Sequence, residues 1–218
     1  HSYSLIHDDL PSMDNDNFRR GKLSNHKKFG EATAILAGDA LHDLAFQLIS
    51  ENLKNINPKL NLKLINYLTK CTGHEGLAGG QSLDLQYENK KLNKNKIMEM
   101  YNKKTGKLFE FSFAAPWIIK NENISKIEFV KNYGSIFGII FQITDDILDE
   151  INSFEEIGKT PGKDKKQGKG TLLSLLGRIK AVEFCKKLAE EFEEKHNKFF
   201  YQYPILKSLL YYNIKKLK

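Results

Sequence analysis

Cysteine is scarce in these 218 residues: Cys71 and Cys185 are the two, and they form no CxxC or other metal-binding spacing. That argues against a cysteine-ligated zinc site and against a disulfide framework, and it fits a reducing cytosol. Long hydrophobic runs are missing too. None approaches the ~18 apolar residues of a membrane span, and no signal peptide is visible, so no stable membrane insertion is expected. Arginine is rarer still in proportion. Lysine supplies 31 of the 34 basic residues, and arginine stands only at positions 19, 20 and 178. The net charge of +7 is compatible with anionic partners, but scattered lysine mostly makes a solvated surface. Two adjacent arginines in a chain with three are therefore pointed, because the guanidinium fork suits phosphate better than a lysine does.

What the chain does have is helical periodicity. Leu41, Leu44, Ala45 and Leu48 recur at the 3.6-residue spacing, and similar patterns run through 59–71, 95–115, 125–150, 172–200 and 204–217. No convincing run of alternating strands bounded by hairpin turns is present. Residues 87–95 and 152–170 are polar and rich in Lys, Asn or Gly, and they read as loops. The expectation is a single all-α domain over 1–218. The chain opens at His1 in what reads as a helix already under way, so N-terminal helices are expected to precede it.

Two acidic clusters stand out on this apolar background. The first is Asp8-Asp9-Leu10-Pro11-Ser12-Met13-Asp14, followed by Arg19-Arg20; the second is Gln142…Asp145-Asp146-Ile147-Leu148-Asp149. Carboxylates this crowded repel one another unless cations sit between them. At about 100° per helical residue, Gln142, Asp145, Asp146 and Asp149 fall within one ~100° arc. That arc could be an acidic surface stripe, but the apolar run from Phe137 to Phe141 argues for a buried helix whose carboxylates need partners. In the first cluster Pro11 removes a helical hydrogen bond and ends or bends the helix. The segment should then fold over so that Asp14 returns toward Asp8; a plain N-cap role for Asp14 would leave Asp8-Asp9 unexplained.

Positive charge lies elsewhere in the sequence. Lys104-Thr105-Gly106 interrupts a helical stretch, a kink that would turn Lys104 inward. The segment 158–170 carries five lysines among four glycines and could close over phosphates as a cationic lid. It is not a P-loop, because no Gly stands five positions before any of its three Gly-Lys pairs and the region follows a helix. His42-Asp43 reads as structural. Phe109, Phe111, Phe113 and Trp117 are either core or the lining of an apolar tunnel.

Together these residues resemble the trans-prenyl diphosphate synthases, in the bacterial farnesyl diphosphate synthase (geranyltranstransferase) branch. The resemblance rests on His1 to Asp14, Arg19-Arg20-Gly21, Asn25-His26-Lys27, Phe29-Gly30-Glu31-Ala32 and Leu36-Ala37-Gly38-Asp39-Ala40-Leu41. It continues through Gly79-Gly80-Gln81…Asp84, Lys104-Thr105-Gly106, Phe141-Gln142…Asp145 to Asp149 and Gly158-Lys159, and covers the chain to about residue 178. The family's upstream Gly-Gly-Lys-Arg-x-Arg-Pro motif lies outside these residues and is expected before His1.

The resemblance implies helices around a deep central cavity and a homodimer. It implies condensation of an allylic diphosphate with isopentenyl diphosphate to give farnesyl diphosphate, with three Mg²⁺ ions on the allylic diphosphate. By position, Asp8 and Asp14 would hold two ions and Asp145 the third, with Asp9, Asp146 and Asp149 in support. Arg19, Lys104 and Lys159 would contact the allylic diphosphate, and His1 and Arg20 the isopentenyl diphosphate. Thr105 and Gln142 would sit beside the reacting carbons, with Lys169 over the pyrophosphate. Small diphosphates, not nucleic acid, are the expected partners. Tyr3, five residues before Asp8 and so about 7.5 Å deeper along a helix, would limit growth to fifteen carbons. A geranylgeranyl synthase, a non-catalytic partner subunit and a terpene cyclase are the rivals; a phosphohydrolase at His42-Asp43 leaves both acidic clusters unexplained.

Overall fold

Helix is what these apolar periods become. The computed structural model describes residues 1–52, 57–151 and 168–217. Its helices are α1 (Ser2–Asp8), α2 (Asn25–Phe29), α3 (Glu31–Asn52), α4 (Pro58–Thr72), α5 (Leu77–Tyr87) and α6 (Lys94–Tyr101). After a π turn at Asn102–Gly106 come α7 (Lys107–Ile119), α8 (Ile124–Ile151), α9 (Leu172–Leu176), α10 (Arg178–Lys195), α11 (Asn197–Gln202) and α12 (Pro204–Lys215). Local chemistry sets several of the ends. Asn93 caps α6 by accepting the Lys96 amide at 3.0 Å, and Asn123 accepts that of Lys126 at 2.9 Å at the start of α8. Thr171 and Ser174 form a reciprocal capping box on α9.

Two expectations change. The stretch 172–200 is not one helix, because Gly177 at φ +77° stops α9 and His196 separates α10 from α11; a positive φ suits Gly and ends a helix. A small hairpin also occurs where no strand was expected. Phe18–Arg19 (β1) pairs antiparallel with Lys22–Leu23 (β2), joined by Arg20 at φ +55° and Gly21 at φ +74°. Two successive positive φ values make the tight turn whose twist matches a hairpin.

Contacts divide the chain into two compact units, one of residues 1–69 and one built on 70–150 and the helices from α9 onward. In the first, α1 lies along α3. Gly38 on α3 makes room for the His7 ring, since a Cβ there would stand 2.0 Å from His7 Nε2. In the second, α8 is the axis. Val130, Tyr133, Ile140, Ile143 and Ile147 on it are fully buried, each apolar side chain worth about 1.5–3 kcal/mol against exposure. Phe129 stacks on Phe199 at 4.2 Å between ring centres, and the Tyr133 hydroxyl donates to the Leu206 carbonyl at 2.9 Å. These contacts tie α11 and α12 to α8. Phe109 and Phe113 pack edge-on against Phe137 and Trp117 against Tyr203, so three of the four aromatics set aside from the sequence join rings of the second unit.

Candidate active site

The first unit carries one half of the predicted constellation. α1 stops at Asp8, three residues before Pro11. The chain then doubles back, and the Asp14 amide donates to the Asp8 carbonyl at 2.9 Å. Asp16 in turn donates its amide to the Asp9 carbonyl at 3.1 Å. Pro11 thus achieves what its chemistry suggests, and Asp8 and Asp14 come together as expected. Asp9 behaves differently from them. It is only 2% exposed and receives the Arg19 guanidinium in a forked contact, Nη2 at 2.5 Å from Oδ1 and Nε at 3.3 Å from Oδ2. Burial pushes the Asp9 carboxyl up against the pull of Arg19. Burial also works against the Arg19 charge, but Asp9, Asp8 and Asp16 outweigh it and raise Arg19 further. Both groups are thus shifted up, which favours the charge on Arg19 and opposes it on Asp9. The forked geometry decides for an ionised pair. Arg19 and Arg20, neighbours in sequence, part company at the hairpin: Arg19 turns back to Asp9 and Arg20 is exposed in the turn.

Tyr3 sits on α1 with its ring edge-on to His42 of α3, centres 4.7 Å apart. His42 also meets Phe46 at 5.0 Å and lies 3.8 Å from Asp43. The His42 ring is therefore the backing of Tyr3, and Asp43 beside it is exposed. His1 is exposed at the start of α1, its carbonyl accepting the Ser4 hydroxyl at 2.8 Å.

The second unit carries the other half, built around the π turn. One extra residue per turn at Asn102–Gly106 changes the helical phase between α6 and α7, a device frequent at functional sites. Backbones close in on both sides of it. A Cβ on Gly80 of α5 would stand 2.1 Å from the Lys104 amide nitrogen, and one on Gly138 of α8 would stand 2.6 Å from Gly106 Cα. The turn sends Lys104 toward α5, where its Nζ lies 2.6 Å from Asp84 Oδ2. It sends Thr105 toward α8, where its hydroxyl donates to Gln142 Oε1 at 2.6 Å.

Lys169 reaches the same Asp84 oxygen at 3.3 Å. Burial opposes ionisation of Asp84, but the two ammonium groups win and hold its carboxyl below the usual range. Along α8, Gln142 Nε2 donates to Asp146 Oδ1 at 2.8 Å, and Asp146 Oδ2 accepts the Tyr101 hydroxyl. Asp146 and Asp149 are each 4% exposed and Asp145 is half-buried. Lys159 and the Gly-Lys segment around it lie outside the described residues.

The sequence marks Asp84 only as the end of the Gly79-Gly80-Gln81 motif, with no chemical role, and it does not single out Tyr101. Asp84 was visible as a lone acid on a glycine-rich helical stretch. Tyr101 was visible only as one more apolar position before Lys104. In chemical type the carboxylates of each unit suit Mg²⁺: Asp8 and Asp14 in the first unit, and Asp145 and Asp149 in the second, offer hard oxygen donors. Among the described residues no three His, Cys, Asp or Glu side chains already form a closed cage. Mg²⁺ is commonly held by one or two carboxylates with substrate phosphates completing its shell.

The polyprenyl synthetase family model matches residues 1–199. The chain belongs to that family. This polyprenyl synthetase chain is 46% identical to the farnesyl diphosphate synthase of Micrococcus luteus, across all of its length and 74% of the relative's. It is 45% identical to that of Geobacillus stearothermophilus, over 84% of the chain and 63% of the relative. A geranyltransferase of Helicobacter pylori, solved with magnesium and isoprenyl diphosphate, has the same fold. Its TM-score is 0.88 at 33% identity, covering 100% of the chain and 71% of the neighbour. The all-α isoprenoid synthase architecture expected from the sequence is therefore the one present. No helix among the described residues is long and apolar enough to cross a membrane.

Proposed function

We propose that the protein condenses isopentenyl diphosphate with dimethylallyl or geranyl diphosphate, and that farnesyl diphosphate is its product. The observation that carries this reading is the pair of lysines, Lys104 and Lys169, gathered on Asp84 beside the Thr105–Gln142 contact. That arrangement sets fixed positive charge next to neutral polar groups, which suits an anionic leaving group attached to a carbon about to become a cation.

The reaction breaks the allylic C1–O bond and leaves the electron pair on pyrophosphate. The isopentenyl double bond then attacks C1 to form the new C–C bond, and a proton leaves the adjacent carbon for pyrophosphate. Lys104, Lys169 and Lys159 would stabilise negative charge as it develops on the departing oxygens. Arg20 and His1 would hold the isopentenyl diphosphate, and Thr105 and Gln142 would border the reacting carbons. Arg19 reads as both the counter-ion of Asp9 and a phosphate contact at its outer edge. Asp8, Asp14 and Asp145 would hold Mg²⁺, three ions with the diphosphate bound, with Asp9, Asp146 and Asp149 in support. The metal would neutralise the diphosphate and make it a better leaving group.

Tyr3, braced by His42, would close the floor under Asp8 and stop elongation at fifteen carbons. A second copy of the chain would cover Leu41, Leu44 and Leu48, which α3 leaves exposed on one face.

The test is incubation of the full-length protein with isopentenyl and geranyl diphosphates, with and without Mg²⁺, and chromatography of the products. A C15 product that requires Mg²⁺ is expected. A C20 product would reassign the chain length, and no prenyl product would overturn the reading.

A further inference from the structure

Tyr101 is buried, 2% exposed, at the last residue of α6, and the reaction above gives it no part. Its phenol oxygen nonetheless stands between two elements. The Leu172 amide, at the first residue of α9, donates to it at 2.8 Å, and its own hydroxyl donates to Asp146 on α8. Each bond has a defined direction. A backbone N–H can only donate, so the Tyr101 oxygen accepts there and its single proton goes to Asp146. Gln142 turns its NH₂ toward Asp146 Oδ1 and donates to it at 2.8 Å. That leaves Gln142 Oε1 for Thr105, whose hydroxyl must donate to it at 2.6 Å.

We propose that Tyr101 is a positioning residue for prenyl transfer, acting through Asp146 and Gln142 to fix the polarity of the Thr105 hydroxyl. With its proton committed to Gln142, Thr105 Oγ1 offers only lone pairs to any further partner. That is the polarity an electron-deficient carbon requires; a hydroxyl free to rotate would present its proton part of the time. Linked hydrogen bonds of this kind hold one another in register. They also fix the start of α9, three residues after Lys169, to the helix that carries the carboxylates. The proposal rests on the prenyl-transfer reading for its catalytic consequence, although the polarity of the chain of bonds does not depend on it.

The test is a double-mutant cycle in the full-length protein with Tyr101→Phe and Thr105→Val, both close in volume to the residues they replace. Tyr101→Phe is expected to lower kcat about tenfold, the usual cost of losing a group that orients another, with both KM values within about twofold. In the Thr105→Val background the same change should cost less than about twofold, because the group it orients has gone. Equal losses in both backgrounds would overturn the proposal, as would an unchanged kcat.

A second readout needs no turnover. Exchange of the Gln142 side-chain amide protons, followed by NMR, should be at least about tenfold faster in Tyr101→Phe at unchanged helical content. Unaltered exchange would overturn the relay. Wild-type protein that makes no prenyl product would instead overturn the function proposed above, and the relay would stand or fall on the exchange rates.

Discussion

The Asp14 amide donates to the Asp8 carbonyl at 2.9 Å, so a six-residue excursion around Pro11 returns the chain to where it left the helix. The bond fixes two carboxylate-bearing residues relative to each other before any cation arrives. Asp14→Asn keeps the backbone bond and removes a charge. It is expected to lower kcat/KM by about 100-fold or more, the scale of losing one preorganised electrostatic contact, and to raise the Mg²⁺ concentration needed for half-maximal rate. Steady-state assays across a Mg²⁺ titration check this, and an unchanged titration would remove Asp14 from the metal set.

Asp84→Asn leaves two ammonium groups around a neutral amide. Product formation should fall by about ten- to a hundredfold, while circular dichroism stays helical. The pH dependence follows from the sign of the shift. The Asp84 carboxyl is depressed below its ordinary 3.8, so its contribution to stability is complete above that value and is lost as pH falls through the folded-state pKa. Urea midpoints measured from about pH 6 down to about pH 3 should therefore fall less steeply in Asp84→Asn than in the wild type. Parallel curves would show that the two lysines do not hold the group ionised.

Tyr3→Ala should lengthen the product. The ring lies edge-on to His42 of α3 and to His7 of α1, and its removal is expected to open space below Asp8. Chromatography of the diphosphate products should show chains beyond C15, and an unchanged product profile would remove Tyr3 from the floor.

Gly138→Ala is a test of the close approach between α8 and the π turn. An added Cβ would meet Gly106 Cα at 2.6 Å, backbone against backbone, with no flexible side-chain end to yield. Overpacking of that kind costs about 1–3 kcal/mol, which is several degrees in Tm for a chain of this size. Calorimetry decides, and a melting point within a degree of wild type would show that the helices part freely.

Burial pushes the thiols of Cys71 and Cys185 up to about 12, with Glu110 adding to the first and Asp146 to the second. Both stay protonated and shielded at neutral pH, so a thiol reagent should label them slowly in the native protein and quickly in denaturant. The sign for stability is the reverse of that at Asp84. A raised thiol pKa favours the fold below the ordinary 9.0 and loses that advantage as pH climbs toward the folded value. The urea midpoint should therefore drop above about pH 9, and rapid native labelling would contradict the burial.

Much of this architecture was legible because helices write their faces into the sequence every 3.6 residues. The arc of Gln142, Asp145, Asp146 and Asp149 could be drawn from spacing alone, and Pro11 announced the turn that returns Asp14 to Asp8. Other features were hidden for physical reasons. Asp84 pairs with a lysine 20 residues away, and Tyr101 bonds to Asp146 45 residues on; such partners leave no periodic mark. The hairpin strands, two residues each, are too short to alternate. The interruption at Lys104-Thr105-Gly106 was visible, but its form as an extra residue in a π turn was not. Gly177 broke the stretch 172–200 because a single φ of +77° outweighs an apolar period that runs on either side of it.

The unbroken course of α8 has a consequence for how this chain can vary. For 28 residues no irregularity separates the rings that anchor the helix at Phe129 and Tyr133 from the carboxylates at its far end. Removing or adding one residue between Ile139 and Gln142 would swing everything beyond it by about 100°, carrying Asp146 away from Tyr101 and Gln142 away from Thr105 at a stroke. The same insertion in the open stretch 88–93 would be absorbed by the loop. Substitutions along α8 can be tolerated one at a time, but its length between anchor and acid is a fixed count.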